Sequence, residues 1–212
     1  MVCLRITVGL FIFAFGLHLT IHASIGVGPW DTVFIGIAAK TPLTYGLAAT
    51  CVNLLILAAD VAMHEAIGFG TILDAVLVGN FVDLITWMNL VPEIRSTPLA
   101  IAVYLGGLFI MAFGQYIYMR AGQGCGPKDS FVVGVGKRLH KLPIGAVQIL
   151  IQAAVLIFGF LLGGPIGIGT LLSVTCMGIS MQIVFSLLHF EPRSIKHKNV
   201  LETLQTIRNG YY

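Results

Sequence analysis

Six long apolar runs alternate with shorter polar segments along the chain. The runs cover residues 4–23, 43–63, 69–90, 98–119, 142–162 and 167–189. Each run has the roughly 20 mostly apolar residues that a helix needs to cross a hydrocarbon core of about 30 Å. We therefore predict an all-α membrane protein with six transmembrane helices in contact with the lipid bilayer.

The overall composition agrees with this pattern. Apolar residues make up 57% of the chain and charged residues 10%, whereas soluble domains carry about 25% charged residues. The one polar stretch of any length is the tail, 191–212, so we expect no soluble domain. Arg5 before the first run is typical of a signal peptide, but the run has a full counterpart later in the chain, so we expect it to be retained.

The chain contains an internal repeat. Residues 13–40 align without gaps on 111–138, with nine identities in 28 positions, and after a one-residue insertion 43–87 align on 142–186. An apolar bias explains coincident Leu, Ile and Val but does not explain coincident Gly, Pro and Asp. We predict a first repeat over 1–96, a second over 97–190 and a basic tail over 191–212.

The topology follows from the odd number of spans in each repeat. Three spans per repeat turn the second copy upside down relative to the first, which is the inverted-repeat plan of many secondary transporters. The alternative counts two short apolar segments, 32–39 and 130–136, as further spans and gives parallel repeats. Even if each segment extends to a helix of 12 residues, it rises only about 18 Å and is too short to cross.

Basic residues indicate the orientation in the membrane, because Lys and Arg mark cytoplasmic loops. With a cytoplasmic N-terminus, only Lys40 and Arg95 of the 12 basic residues fall outside. The other ten fall inside: Arg5, Arg120, Lys128, Lys137, Arg138, Lys141, Arg193, Lys196, Lys198 and Arg208. We predict that both termini are cytoplasmic.

A G-x-G-P-x-D motif occurs once in each repeat, at 26–31 and 124–129. Glycines permit a sharp chain reversal, and proline suits the first turn of a helix. The segments that follow are apolar on every face, which favours buried re-entrant half-helices with free N–H groups at their starts. The alternative is a pair of tight connectors with the two aspartates as self-contained caps. The candidate solute-binding residues here are Gly28, Pro29, Trp30, Asp31, Gly126, Pro127, Lys128 and Asp129.

Polar side chains within the spans extend the candidate site, since such groups usually face the bundle interior. Asn53 and Gln152 are repeat-equivalent amides, and Asn80, Asp83 and Gln182 lie in the third and sixth spans. We expect Asp83 to face a polar cavity and rank Asp74, nearer a membrane edge, below it. The alternative for the amides is hydrogen bonding between neighbouring helices, worth about 0.6 kcal/mol each.

The sequence offers no catalytic or metal-binding pattern. It lacks G-x-S-x-G, H-E-x-x-H and paired catalytic acids, and Cys3, Cys51, Cys125 and Cys176 form no C-x-x-C pair. His18 and His22 have a metal-like spacing, but no carboxylate or cysteine pattern supports a metal there. We predict a protein that is not an enzyme, with no cofactor, no metal and no nucleic-acid partner.

The motif G-x-G-P-W-D (26–31), the following Lys40-Thr41 and G-x-G-T (68–71) resemble the bacterial YczE/YyaS/YitT-type membrane proteins. The resemblance covers about residues 8–190. It implies a multi-pass protein of the bacterial cytoplasmic (inner) membrane with this repeat plan. Lys128 stands where the first copy has Trp30, which leaves open whether the two turns do the same job.

The leading functional hypothesis is a small secondary transporter or permease. Its polar solute would bind between the two repeats near the bilayer midplane. The alternative is a non-transporting binding or accessory subunit that docks a partner through the cytoplasmic loop 120–141 and the tail. The sequence leaves the charge of the solute and the formation of a homodimer open.

Overall fold

The computed structural model describes residues 2–65, 67–94, 96–124 and 126–191. This part of the chain forms eight α-helices and no β-strand. The helices are α1 (Val2–His22), α2 (Pro29–Lys40), α3 (Tyr45–Ala62), α4 (Phe69–Met88), α5 (Thr97–Met119), α6 (Pro127–Arg138), α7 (Ile144–Leu161) and α8 (Ile168–Leu187). Arg95, Cys125 and nearly all of the predicted tail lie outside the described residues.

Six of the helices are long and apolar enough to cross a membrane, and they coincide with the six predicted spans. The other two, α2 and α6, have 12 residues each. Both begin at a proline directly after an extended glycine, Gly28 or Gly126. Proline is favourable there because its missing N–H would have no helical partner at that position.

Helices α1 and α5 form the central contact of the bundle, and glycines let their backbones meet. Gly9 lies against Gly114, and Gly16 lies against Gly107. Residue numbers rise along one helix as they fall along the other, so the two helices are antiparallel. A methyl group added at Gly16 would lie 2.6 Å from the Gly107 carbonyl oxygen, so this approach depends on the absence of a side chain.

The short helices pack against spans of the other half of the chain. Helix α2 lies against α7, where Gly159 meets the backbone of Thr32. Helix α6 lies against α3, and Gly134 lies beside Met63. At its end each short helix places a basic side chain on a span's last carbonyls: Lys40 donates to Leu161 at 3.2 Å and Arg138 donates to Met63 at 3.3 Å.

The two glycine turns before α2 and α6 are held by the starts of α8 and α4. The Gly169 N–H donates to the Ile25 carbonyl at 2.8 Å, and the Gly70 N–H donates to the Gln123 carbonyl at 2.8 Å. Gly26 and Gly124 have φ of +103° and +107°, a conformation that glycine adopts without steric cost. The irregular backbone is therefore tied to two long helices.

Large apolar side chains cover the outside of the bundle. Trp87 is 83% exposed, Leu187 74% and Leu55 71%. Their contact with water would be unfavourable at about 25 cal/mol for each Å² of apolar surface. This surface therefore matches the hydrocarbon of a bilayer.

The α1–α5 contact gives a matched test on two neighbouring glycines. An added methyl at Gly107 would lie 2.8 Å from the Gly16 carbonyl oxygen, whereas at Gly106 it would meet no atom within 4 Å. We expect Gly107→Ala to lower the free energy of unfolding by about 1–3 kcal/mol through overpacking. Gly106→Ala should leave it unchanged or raise it by up to about 1 kcal/mol. Unfolding in detergent micelles followed by circular dichroism measures both, and equal effects would contradict the packing described.

Candidate functional site

A cavity of about 440 Å³ lies inside the bundle. All eight helices contribute to its wall. The apolar part comprises Leu10, Phe13, Leu17, Phe34, Ala49, Val78, Met119, Met177 and Met181, and the polar part includes Tyr45, Asn53, Asp74, Gln115, Lys128, Asp129, Gln148 and Gln152. Its size and mixed lining are those of a small-molecule site.

The second motif turn lines the cavity directly. Gly126, Pro127, Lys128 and Asp129 are all part of the wall. The Lys128 ammonium lies 4.7 Å from the centroid of the Phe34 ring and 5.8 Å from that of Trp30. An ammonium this close to an aromatic face is attracted by the ring quadrupole. Lys128 therefore links the start of α6 to the start of α2.

The first motif turn lies behind the cavity wall, since none of Gly28, Pro29, Trp30 and Asp31 lines it. The Tyr45 hydroxyl donates to the Asp31 carboxylate at 2.9 Å, and Tyr45 itself lines the cavity. Asp31 lies in a short helix, outside the six long spans. Burial raises the pKa of its carboxyl, while Lys128 and the Tyr45 hydrogen bond oppose that rise.

Two repeat-equivalent amides, Asn53 and Gln152, face the cavity together with Gln115 and Gln148. Asn53 is 4% exposed. Its side-chain oxygen Oδ1 has no hydrogen-bond partner within the described parts of the chain. A buried acceptor without a partner costs about 1–3 kcal/mol, so Asn53 is a polar group that a ligand could satisfy.

Asp74, which the sequence placed below Asp83 as a candidate, lines the cavity. It is the sixth residue of α4, and a methyl group added at Gly126 would lie 2.7 Å from its Oδ2. The repeat contains a usable signal, because Ser173 is its equivalent and lies beside Gly28 in the same way. Tyr45 and Gln148 also line the cavity and have no motif that would single them out.

Besides the four residues of the first turn, three candidate residues of the long spans do not line the cavity. Asp83 accepts a hydrogen bond from the Gly46 N–H at 3.0 Å, so its carboxylate satisfies a free donor at the start of α3. Asn80 faces outward and bonds to the Val76 carbonyl and to Thr50. Gln182 is exposed on the outer surface of α8.

The fold and its internal polar cavity define a multi-pass helical membrane protein. Comparison with known proteins then places the chain within that class. It belongs to a family of unknown function, DUF6198, whose model matches residues 2–186. No solved structure matches the chain significantly.

Relatives agree with the resemblance seen in the glycine motifs. The membrane protein YczE of Bacillus subtilis is 30% identical over 193 residues, covering 90% of this chain and 86% of the relative. YyaS of the same organism is 28% identical, covering 84% of this chain and 89% of the relative. A protein of Haemophilus influenzae is 27% identical, covering 84% and 80%. The predicted family resemblance is confirmed.

The Tyr45–Asp31 hydrogen bond gives a test of the site's geometry. Tyr45→Phe removes the donor and leaves the partly buried carboxylate without it, so we expect a loss of about 1–3 kcal/mol in the free energy of unfolding. Tyr116→Phe is the matched control, since its hydroxyl accepts a bond from exposed Arg120 and should cost at most about 1 kcal/mol. Unfolding in detergent measures both variants, and a larger loss for Tyr116→Phe would contradict the site described.

Proposed function

We propose that this protein is a small secondary transporter or permease for a polar solute, without enzymatic activity. The observation that carries the proposal is the 440 Å³ cavity, walled by all eight helices and containing polar groups from both halves of the chain. Sites of this kind lie at the repeat interface in transporters built from inverted repeats.

Pairs of equivalent contacts support an inverted repeat. The alignment equates residue 16 with 114, and its extension without a gap toward the N-terminus equates residue 9 with 107. The contact of Gly9 with Gly114 therefore has the contact of Gly107 with Gly16 as its counterpart. A twofold axis between antiparallel α1 and α5 would exchange these two contacts, and such an axis lies in the membrane plane.

The docking of the turns supports the same axis. Gly26 lies beside Gly167, and the equivalent Gly124 lies beside Gly68. Gly70 and Gly169, whose N–H groups hold the two turns, are also equivalent positions. The turn of the first repeat therefore contacts the start of α8, and the turn of the second repeat contacts the start of α4 in the equivalent way.

Two observations support the re-entrant character of α2 and α6. Gly126 lies beside Asp74, five residues beyond the start of α4, which corresponds to a depth of about 7.5 Å along that helix. Lys128, at the start of α6, reaches the rings of Trp30 and Phe34 near the start of α2. Both starts therefore point toward the centre of the bundle.

The α2–α7 contact and its counterpart between α3 and α6 differ in chemistry, and this difference supports alternating access. On one side α2 and α7 meet backbone to backbone through Gly159 and Gly164. The equivalent positions between α3 and α6 are Asp60 and Glu65. Glu65 pairs with Lys137 at 2.6 Å, while both carboxylate oxygens of fully buried Asp60 lack a partner among the described residues. We infer that the α3–α6 contact is the less stable of the two and the one that opens during transport.

The cytoplasmic location of both termini, in the inner membrane of a bacterium, belongs to the same proposal. Lys128 lies in the cavity wall rather than in a loop. Nine basic residues therefore support the cytoplasmic orientation, against two outside. The accessory-subunit alternative loses support, because residues 127–138 of its docking loop form α6 and pack against α3 and α7.

Reporter fusions test the inverted topology. A fusion after residue 95 should report a periplasmic location and a fusion after residue 141 a cytoplasmic one, because three long spans precede residue 95 and one more, α5, lies between the two positions. Fusions in a bacterial host with an alkaline phosphatase and a fluorescent protein measure the two sides. The same location for both residues would contradict the inverted repeat.

Asn53→Leu tests the cavity as a transport site. The change removes a polar group that has an unpartnered oxygen, so we expect the stability to be kept or increased and uptake to fall at least tenfold. The measurement is uptake of labelled amines, amino acids, organic acids and sugars into proteoliposomes. Thr175→Val, on the exposed face of α8, is the control. Uptake unaffected by Asn53→Leu, or absent for every solute with the unaltered chain, would contradict the proposal.

A further inference from the structure

We propose that the cavity binds a small organic cation that carries N–H donors, such as a primary ammonium or a guanidinium. This inference rests on the proposed solute site and names its substrate class.

Acidic side chains outnumber basic ones around the cavity. Asp74 and Asp129 line the wall, and Asp31 lies one layer behind it, bonded to Tyr45. Lys128 is the one basic residue among the described residues of the wall, and it interacts electrostatically with all three carboxylates. With every group ionised, three carboxylates and one ammonium leave a formal charge of −2. A carboxylate or phosphate solute would add to this excess, whereas a cation reduces it.

The amide oxygen of Asn53 also favours a ligand with N–H donors. Oδ1 of Asn53 is a buried hydrogen-bond acceptor to which no described residue donates. The carboxylate oxygens of Asp74 and Asp129 in the same wall are acceptors as well. A ligand that satisfies these atoms must donate hydrogen bonds. Primary ammonium and guanidinium groups bring several N–H donors and a positive charge together, whereas a quaternary ammonium brings the charge alone.

The side chain of Lys128 is itself an alkylammonium group in the surroundings that we propose for the ligand. Its alkylammonium lies over the rings of Phe34 and Trp30 and beside the acidic groups. The rest of the wall, including Phe13, Met177 and Met181, suits a carbon skeleton. A volume of about 440 Å³ also fits an organic ion better than a bare metal ion.

The chain offers a direct optical measurement of binding. It has two tryptophans, Trp30 beside Lys128 and Trp87 on the outer surface. In the full chain carrying Trp87→Phe, the fluorescence reports on Trp30 alone. In detergent or nanodiscs, n-butylammonium and methylguanidinium should change the emission in a saturable way. Tetramethylammonium, propionamide and propionate should bind at least tenfold more weakly.

Two variants and a matched control locate the effect. In the same background Asp74→Asn should weaken n-butylammonium binding at least tenfold. Asp129 is an exposed residue of the cavity wall, so Asp129→Asn replaces the first variant if that variant does not fold. Glu93→Gln, an equivalent change in the α4–α5 loop, should leave binding unchanged.

Four results would each overturn the cation assignment. The first two are no saturable response to either N–H cation up to about 100 mM, and binding of propionate or propionamide that is equal or tighter. The other two are displacement of n-butylammonium by millimolar Na⁺, and unchanged binding in both aspartate variants. Transport is judged separately. Uptake of a neutral or anionic solute into proteoliposomes would refute the cation assignment and support transport. Binding of n-butylammonium without uptake of any solute would support the cation assignment and refute transport.

Discussion

In hydrocarbon, every backbone N–H and carbonyl group must find its partner inside the protein, and this constraint shapes the whole bundle. The irregular turns before α2 and α6 can lie within the bundle because the starts of α8 and α4 cover them. The bonds from Gly169 to Ile25 and from Gly70 to Gln123 supply the partners that water would otherwise supply. Glycine at these contacts allows the backbones to approach each other. The cavity lies among the eight helices.

Hydropathy and the internal repeat predicted much of this fold. The span expected at 69–90 is Phe69–Met88, and Pro29 and Pro127 begin the two short helices as the motif indicates. Placement of the polar side chains was less predictable, because the direction a side chain faces depends on where neighbouring helices begin. Helix α3 begins beside Asp83, which places that carboxylate on the Gly46 N–H. Asp74 instead lies next to the second turn and lines the cavity.

The two halves share a backbone plan but differ in chemistry at equivalent positions. Trp30 and Lys128 occupy the same place in the two motifs and contact each other across the bundle. Gly159 and Asp60 are likewise equivalent, and Gly159 forms a close backbone contact, while the buried carboxylate of Asp60 has no partner in the described part of the chain. In the proposed transporter, a symmetric scaffold would therefore hold an asymmetric site with one acidic wall and one end that opens more readily.

We propose that the polar cavity between the two halves of the chain is a solute site. The most direct measurement is a cryo-electron microscopy map of the full chain in nanodiscs with n-butylammonium, compared with a map without it. We expect added density inside the bundle between Asn53, Asp74 and Lys128, with the cavity wall otherwise retained. A cavity closed by side chains in both maps, with added density only on the outer surface, would contradict it.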